Sequence, residues 1–264
     1  RLRMGEIVLI ENNEIKSISP FPKQKARPCV FEYIYFTRPD SLINGKCAYE
    51  YRKKLGAELA KEADVKADLV VPVPDSGVPA ALGYANASKK EFELGLIRNH
   101  YVGRTFIEPT QNIRSLGVKL KLNSTKTLVK NKSIILIDDS LVRGTTCNKI
   151  VKMLYEEGAK EVHVRIACPA IKYPDFYGVD MPTNEELLAY KKSVGQMCEY
   201  IKAKSLKFLS IDGLYKALTG TKRNLNYPQF SDHYFTGDYP VKPIDSLQGL
   251  QVKQLSLLSG KSNN

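Results

Sequence analysis

The chain has 264 residues, with 40 Lys and Arg against 28 Asp and Glu for a net charge of +12, and 43% of its residues are hydrophobic. That length supports one large domain with small appendages, and the composition is that of a soluble globule. No apolar run approaches membrane-spanning length, which excludes a helical membrane span, and the dispersed lysines fit either steering of an anionic substrate or a plain solvated surface.

In chain order, Glu6, Glu11 and Glu14 break any apolar core that a signal peptide would need. Gly5–Ile18 reads as a β-hairpin turning at Asn12–Asn13. Pro20, Pro22 and Pro28 then mark a passage, so residues 1–28 form a remnant or linker, residues 29–204 the main domain, and residues 205–264 a C-terminal helical segment with a polar tail. Within the main domain, helical and strand patterns alternate. Tyr49–Ala63 is helical in composition, Asp68–Val73 is a β-branched strand, and Pro79–Ala87 follows as a helix with Pro at an early position. Leu94–Ile97 and Ile134–Ile137 read as strands, Cys147–Glu157 as a helix closed by Gly158, and Glu161–Ala167 as a further strand. Leu206–Leu218 is helical towards its end. The spacing predicts an α/β fold with a mostly parallel sheet flanked by helices and ligands held outside the C-terminal edges of its strands. Between Tyr101 and Lys130 no single period holds. A connection that long inside a domain points to a functional lid.

Chemistry concentrates at Ile134–Thr146 (IILIDDSLVRGTT). An apolar strand ends in two carboxylates, Asp138 and Asp139, and passes through Ser140, Leu141, Val142, Arg143, Gly144, Thr145 and Thr146 into a helix. Carboxylates accept hydrogen bonds from sugar hydroxyls and support Mg²⁺, while the turn offers backbone N–H groups and hydroxyls to a phosphate. Gly144 allows close backbone approach. A second turn, Asp75-Ser76-Gly77, follows the strand at Asp68–Val73; alone it is an ordinary β-turn, but it shares the predicted strand edge. The cysteines, Cys29, Cys47, Cys147, Cys168 and Cys198, are odd in number and lack CxxC pairing, which suits a reducing, cytoplasmic compartment. His100, His163 and His233 show no metal-ligand spacing, and His163, in a strand pattern, is structural.

The run at Ile134–Thr146 resembles the PRPP signature of the type I phosphoribosyltransferases. With Cys29–Ser41, Val71–Ala85, Arg98–Arg114, Gly117–Asn123 and Phe176–Leu187, in that order, the chain is similar to the amidophosphoribosyltransferase family. The resemblance implies formation of 5-phosphoribosylamine and pyrophosphate from PRPP and ammonia. Asp75, Ser76 and Gly77 would shape a pyrophosphate loop, Ser140–Thr146 would hold the 5-phosphate, and Ser76, Asp138 and Asp139 would lie at the metal. Arg98, Tyr101, Arg104, Arg114, Lys119 and Lys121 fall on or beside the lid, with Tyr101 and Arg104 assigned to catalysis; Arg98 stands where the family often has lysine. The family's N-terminal cysteine nucleophile has no counterpart here, so the reaction would take ammonia directly or use a glutaminase supplied elsewhere. Family members form dimers and tetramers and are inhibited by purine nucleotides, which implies a homo-oligomer. One branch binds an iron–sulfur cluster through four cysteines. Here only Cys29 is kept, Asp175 occupies the PxFYG position, and Tyr227 and Phe230 stand where later cysteines are expected, so no cluster is implied. Two other readings remain: a non-catalytic PRPP sensor that binds nucleic acid, and a decayed fragment whose pocket outlived its activity.

Overall fold

Short apolar runs that are buried on both faces need helices on either side, and this requirement organises the middle of the chain. A computed structural model describes residues 2–3, 5–23, 25–99, 122–179 and 183–241. It opens with β1 (Ile7–Glu11) and β2 (Glu14–Ile18), an antiparallel hairpin. Asn12 and Asn13 turn it at φ 51° and 62°, the pair of positive angles that a tight two-residue turn requires. A π-helical turn at Glu32–Phe36 leads to the short antiparallel pair β3 (Leu42–Ile43) and β4 (Lys46–Cys47), and then to α1 (Ala48–Ala63).

The core unit then unfolds as β5 (Leu69–Pro72), α2 (Val78–Ser88), β6 (Glu91–Phe92), β7 (Leu96–Arg98), β8 (Leu122–Ser124), β9 (Ser133–Asp138), α3 (Thr145–Glu156) and β10 (Glu161–Ile166). After α4 (Val194–Ile201) come β11 (Ser205–Phe208) and α5 (Ile211–Thr219). Five strands pair in parallel in the order β11-β10-β9-β5-β6. Leu69, Val70 and Val71 of β5, Ile134–Ile137 of β9, and Val162, Val164 and Ile166 of β10 are all buried. The chain leaves β5 for β6 on one side and later returns to β9 on the other. That reversal creates a switch point at the carboxyl ends of β5 and β9, where open α/β sheets take ligands.

Several sequence expectations shift in detail. The strand expected at Leu94–Ile97 forms at Leu96–Arg98, which leaves the sheet and pairs antiparallel with β8, Arg98 facing Leu122, while the sheet edge comes from Glu91–Phe92 just before it. The polar stretch before Lys130 thus contains a strand and a helical turn, Lys126–Val129. The boundary expected at 204/205 falls directly before a strand of the same sheet, since β11 runs beside β10, and the segment from residue 205 shares the core.

Around Cys29 the replaced positions also differ from expectation. Phe230 packs on Tyr33 and Tyr215, and the Tyr227 hydroxyl donates to the Lys25 carbonyl. It is Ser231, bridged to Cys29 through the backbone, and Tyr234, with its hydroxyl 3.3 Å from the Cys29 sulfur, that meet the cysteine. The alternation of bulky and polar residues in this segment gives no register from which the sequence alone could place these contacts.

Candidate active site

The two predicted loops meet at the switch point because the β5–β9 ladder continues into them. Val73 N–H donates to the Ile137 carbonyl at 2.8 Å, and Gly77 N–H donates to the Val73 carbonyl at 2.9 Å. Gly77 is required there: a Cβ would lie 2.6 Å from the Ile137 carbonyl oxygen. The turn it closes contains Asp75 and Ser76 and a cis peptide between Pro74 and Asp75, and it leads directly into α2. Arg98, at the end of β7, reaches back to this turn, its Nη1 2.7 Å from Asp75 Oδ2. The base of the β7–β8 pair is thereby tied to the turn after β5.

The second loop leaves β9 at Asp138. Asp139 N–H donates to Asp138 Oδ1 at 2.9 Å, and the Ser140 hydroxyl donates to Asp139 Oδ2 at 2.7 Å. The two carboxylates occupy different surroundings. Asp138 lines an open concavity of about 230 Å³ together with Ser140, Leu141, Val142, Arg143, Gly144, Thr145, Thr146 and Cys147. Asp139 is only 6% exposed and turns beneath the bend. Burial, and then the neighbouring charge of Asp139, push the Asp138 carboxyl well above the usual carboxylate range. On the inner side the buried Arg52 of α1 supplies positive charge near Asp139, while its Nε and Nη2 donate to the Tyr33 and Thr37 carbonyls at 3.2 and 2.6 Å.

Gly144 occupies φ +74° and precedes α3, whose first residues, Thr145 and Thr146, are exposed. A helix start with free N–H groups and two hydroxyls, opening onto a concavity, is suited to an anionic group. The ends of α3 and β9 thus present a carboxylate and an anion cradle a few residues apart, which matches a ligand carrying both hydroxyls and phosphate. Tyr101 and Arg104, like His100, Arg114, Lys119 and Lys121, lie outside the described residues. His163 is buried in β10, its Nδ1 2.9 Å from the Ser205 hydroxyl, away from the two loops. Among the described residues no three His, Cys, Asp or Glu side chains are grouped to hold a metal ion.

The family model for the phosphoribosyl transferase domain matches residues 48–183. The chain belongs to that family. Both loops of the candidate site fall inside the matched stretch. Relatives extend the likeness beyond it: the amidophosphoribosyltransferase of Rhizobium etli is 53% identical over 97% of this chain and 53% of its own length. Amidophosphoribosyltransferase 1, chloroplastic, of Arabidopsis thaliana is 49% identical over 91% of the chain and 42% of its own length. The chain therefore spans about half the length of the curated relatives it matches. Among solved structures, the glutamine phosphoribosylpyrophosphate (PRPP) amidotransferase from B. subtilis complexed with ADP and GMP superposes with a TM-score of 0.78 at 46% identity, covering 90% of this chain and 52% of that one.

This phosphoribosyl transferase domain has site neighbours that the sequence reading passed over. Arg52 carries no motif and looks like any helix-surface cation until the packing shows it 4% exposed. Leu188 and Tyr200 lie against Gly144 from a segment more than forty residues downstream. A capping box at Ser193 and Gln196, which starts the α4 helix bearing Tyr200, was a readable signal for that element.

Proposed function

We propose that this chain is the phosphoribosyltransferase portion of an amidophosphoribosyltransferase, forming 5-phosphoribosylamine and pyrophosphate from PRPP and ammonia in purine biosynthesis. One observation carries the reading: the Asp75–Gly77 turn and the Asp138–Thr146 bend sit side by side at the switch point, joined by the Val73–Ile137 hydrogen bond. A ligand with a phosphate at each end of a sugar would span them. In this reading the amides and hydroxyls of Ser140–Thr146 hold the 5-phosphate, and Asp138 and Asp139 orient the ribose hydroxyls. Asp75, Ser76 and Gly77, with Arg98, receive the pyrophosphate. Substitution at C1 builds positive charge on the sugar and negative charge on the leaving group, so fixed donors at the pyrophosphate end stabilise the transition state. Tyr101 and Arg104 complete the assignment by closing over the sugar and excluding water.

Mg²⁺ fits these residues. It binds through one or two carboxylates plus substrate phosphates and retains water ligands, so Asp138 in the wall of the concavity, with Ser76 on the turn after the neighbouring strand, needs no three-residue cage. When bound, the ion neutralises pyrophosphate charge. An iron–sulfur cluster does not fit: Cys29 offers one thiolate, and Asp175, Ser231 and Tyr234 are poor replacements for the other three. Iron and sulfide analysis of purified protein should give neither in stoichiometric amount. The reading also includes residues 1–28 as a remnant or linker, the domain at 29–204, a C-terminal segment at 205–264 whose first strand and helix complete that domain's sheet and core, a cytoplasmic location, homo-oligomers, purine nucleotides as inhibitors, and a glutaminase supplied by another part of the protein or another chain. Among the described residues no helix is long and apolar enough to cross a membrane.

The test is pyrophosphate release from PRPP and Mg²⁺ with ammonia, with glutamine, and with neither. Release that depends on ammonia is expected. Salt-sensitive nucleic-acid binding without turnover would replace this function with a sensor.

A further inference from the structure

The bend Ser140–Gly144 lines the concavity, has no helix or strand of its own, and is held from outside. Five contacts come from one downstream segment. Leu188 N–H donates to the Val142 carbonyl at 3.0 Å. Asn148, in the first turn of α3, donates its Nδ2 to the Tyr200 carbonyl at 2.6 Å, which fixes α4 beside the helix that follows the bend. Leu188 and Tyr200 close on Gly144 itself: a Cβ at that position would stand 2.7 Å from Leu188 Cδ2 and 3.2 Å from Tyr200 Cε1. Further out, Arg143 Nε is 2.6 Å from Glu186 Oε2, an exposed pair that screening makes weak and easily exchanged.

These contacts differ in kind. The ion pair sits at the rim, where a phosphate could compete for Arg143. The Leu188 and Tyr200 side chains press on the one residue of the bend that must hold a positive φ. A backbone at φ +74° keeps neighbouring N–H groups pointing to one side, which is the geometry of an anion nest. If the ring and the leucine were removed, Gly144 would be free to leave that angle at little cost, because glycine populates both signs of φ. The nest would then be dispersed while strand and helix stayed intact.

We propose that Tyr200, acting with Leu188, is a positioning residue: it clamps Gly144 from behind so that the Ser140–Thr146 amides converge on a terminal phosphate of the substrate. Tyr200 touches no reacting atom. Its hydroxyl is not needed for the clamp, since the contact is made by ring carbons. The clamp acts on the phosphate bend alone and leaves the Asp75–Gly77 turn, held by its own bonds to Val73 and Ile137, undisturbed. This inference rests on the proposed assignment of the bend to the 5-phosphate.

The test compares the parent chain with Tyr200→Ala, Leu188→Ala and Tyr200→Phe, measuring binding of ribose 5-phosphate and of pyrophosphate with Mg²⁺ by calorimetry, alongside thermal melts. The expected result is ribose 5-phosphate binding weakened about tenfold in Tyr200→Ala and Leu188→Ala, pyrophosphate binding within twofold of the parent, and parent behaviour in Tyr200→Phe. Equal weakening of both ligands, or a lower melting temperature with both affinities retained, would reduce Tyr200 to ordinary packing and overturn the clamp. If Leu188→Ala does not fold, Tyr200→Ala decides alone, because Tyr200 is 38% exposed and less central to the core. Failure of the parent itself to bind ribose 5-phosphate would strike the assignment of the bend, a result distinct from failure of the clamp.

Discussion

Asp138 is held in a state that costs the fold and serves the site. Its carboxyl titrates well above the usual range, chiefly through burial and then through the charge of Asp139. A carboxylate whose folded pKa is raised favours the folded state only where it is protonated, so its penalty grows as pH rises from the unfolded value towards the folded one. Asp138→Asn removes that penalty. Its melting temperature should exceed the parent's by a few degrees at neutral pH, the gap closing as the pH is lowered through pH 4, while the proposed release of pyrophosphate from PRPP falls by about a hundredfold or more. A melting temperature equal to or below the parent's at pH 7.5 would mean that Asp138 is compensated by a partner within the fold. The type and order of residues in IDDSLVRGTT were legible in the sequence because each has a local role: strand end, carboxylate, glycine turn, helix start. Their inequality was not. Asp139 is the buried one of the pair and has the charge of Arg52 near it, and Arg52 is anchored on the Tyr33 and Thr37 carbonyls, about a hundred residues away in sequence.

At the scale of elements, α1 and α2 approach backbone to backbone, and two glycines allow it. A Cβ on Gly56 would lie 1.8 Å from the Ala80 carbonyl oxygen, and one on Gly83 would lie 1.9 Å from that of Lys53. Both clashes are with backbone, so no side-chain rotation relieves them. α2 begins at the Asp75–Gly77 turn, and its position fixes that turn against β9. Gly83→Ala gains helix propensity of about 1 kcal/mol, yet the forced separation of two helices should outweigh it. We expect net destabilisation of about 3 kcal/mol or more, read as a loss of roughly 6–12 °C in melting temperature. An unchanged melt would show that the helices can part without cost. The glycines themselves were visible in the sequence, but nothing local distinguishes a crossing glycine from a tolerated one. The same limit explains β6 and β11. Two or four residues show no decisive period, and their strand character comes from the neighbours that pair with them.

Across the whole molecule, the N-terminal passage, the loop after β10 and the C-terminal segment are joined by buried polar groups. Asp232, fully buried, accepts from the Tyr215 hydroxyl at 2.8 Å and from Arg223 Nε at 2.6 Å, with Arg27 Nη2 3.8 Å away. Beside it, His233 has Nε2 2.8 Å from Asp175 Oδ1 and Nδ1 3.0 Å from the Ser231 hydroxyl, and its ring lies against Tyr177, Tyr234 and Tyr239. The neutral tautomer with its proton on Nε2 meets both partners, donating to Asp175 and accepting from Ser231. Asp175 and Asp232 both favour the cation and Arg27 opposes it, but burial outweighs them and holds the His233 pKa below the usual value. A histidine of lowered pKa contributes full stability above its unfolded value near 6.5; that stability is lost as the pH falls from there towards the folded pKa, because the unfolded chain takes up the proton first. Urea unfolding at pH 7.5 and 5.5 should therefore show the parent losing stability on acidification, and His233→Gln losing less over the same interval although it is less stable at pH 7.5. His163, also held low by burial, remains in both proteins, so the difference between them isolates His233. Parallel losses in parent and variant would place the acid sensitivity outside this triad and leave its polar groups a purely geometric tie between the loop after β10 and the C-terminal segment.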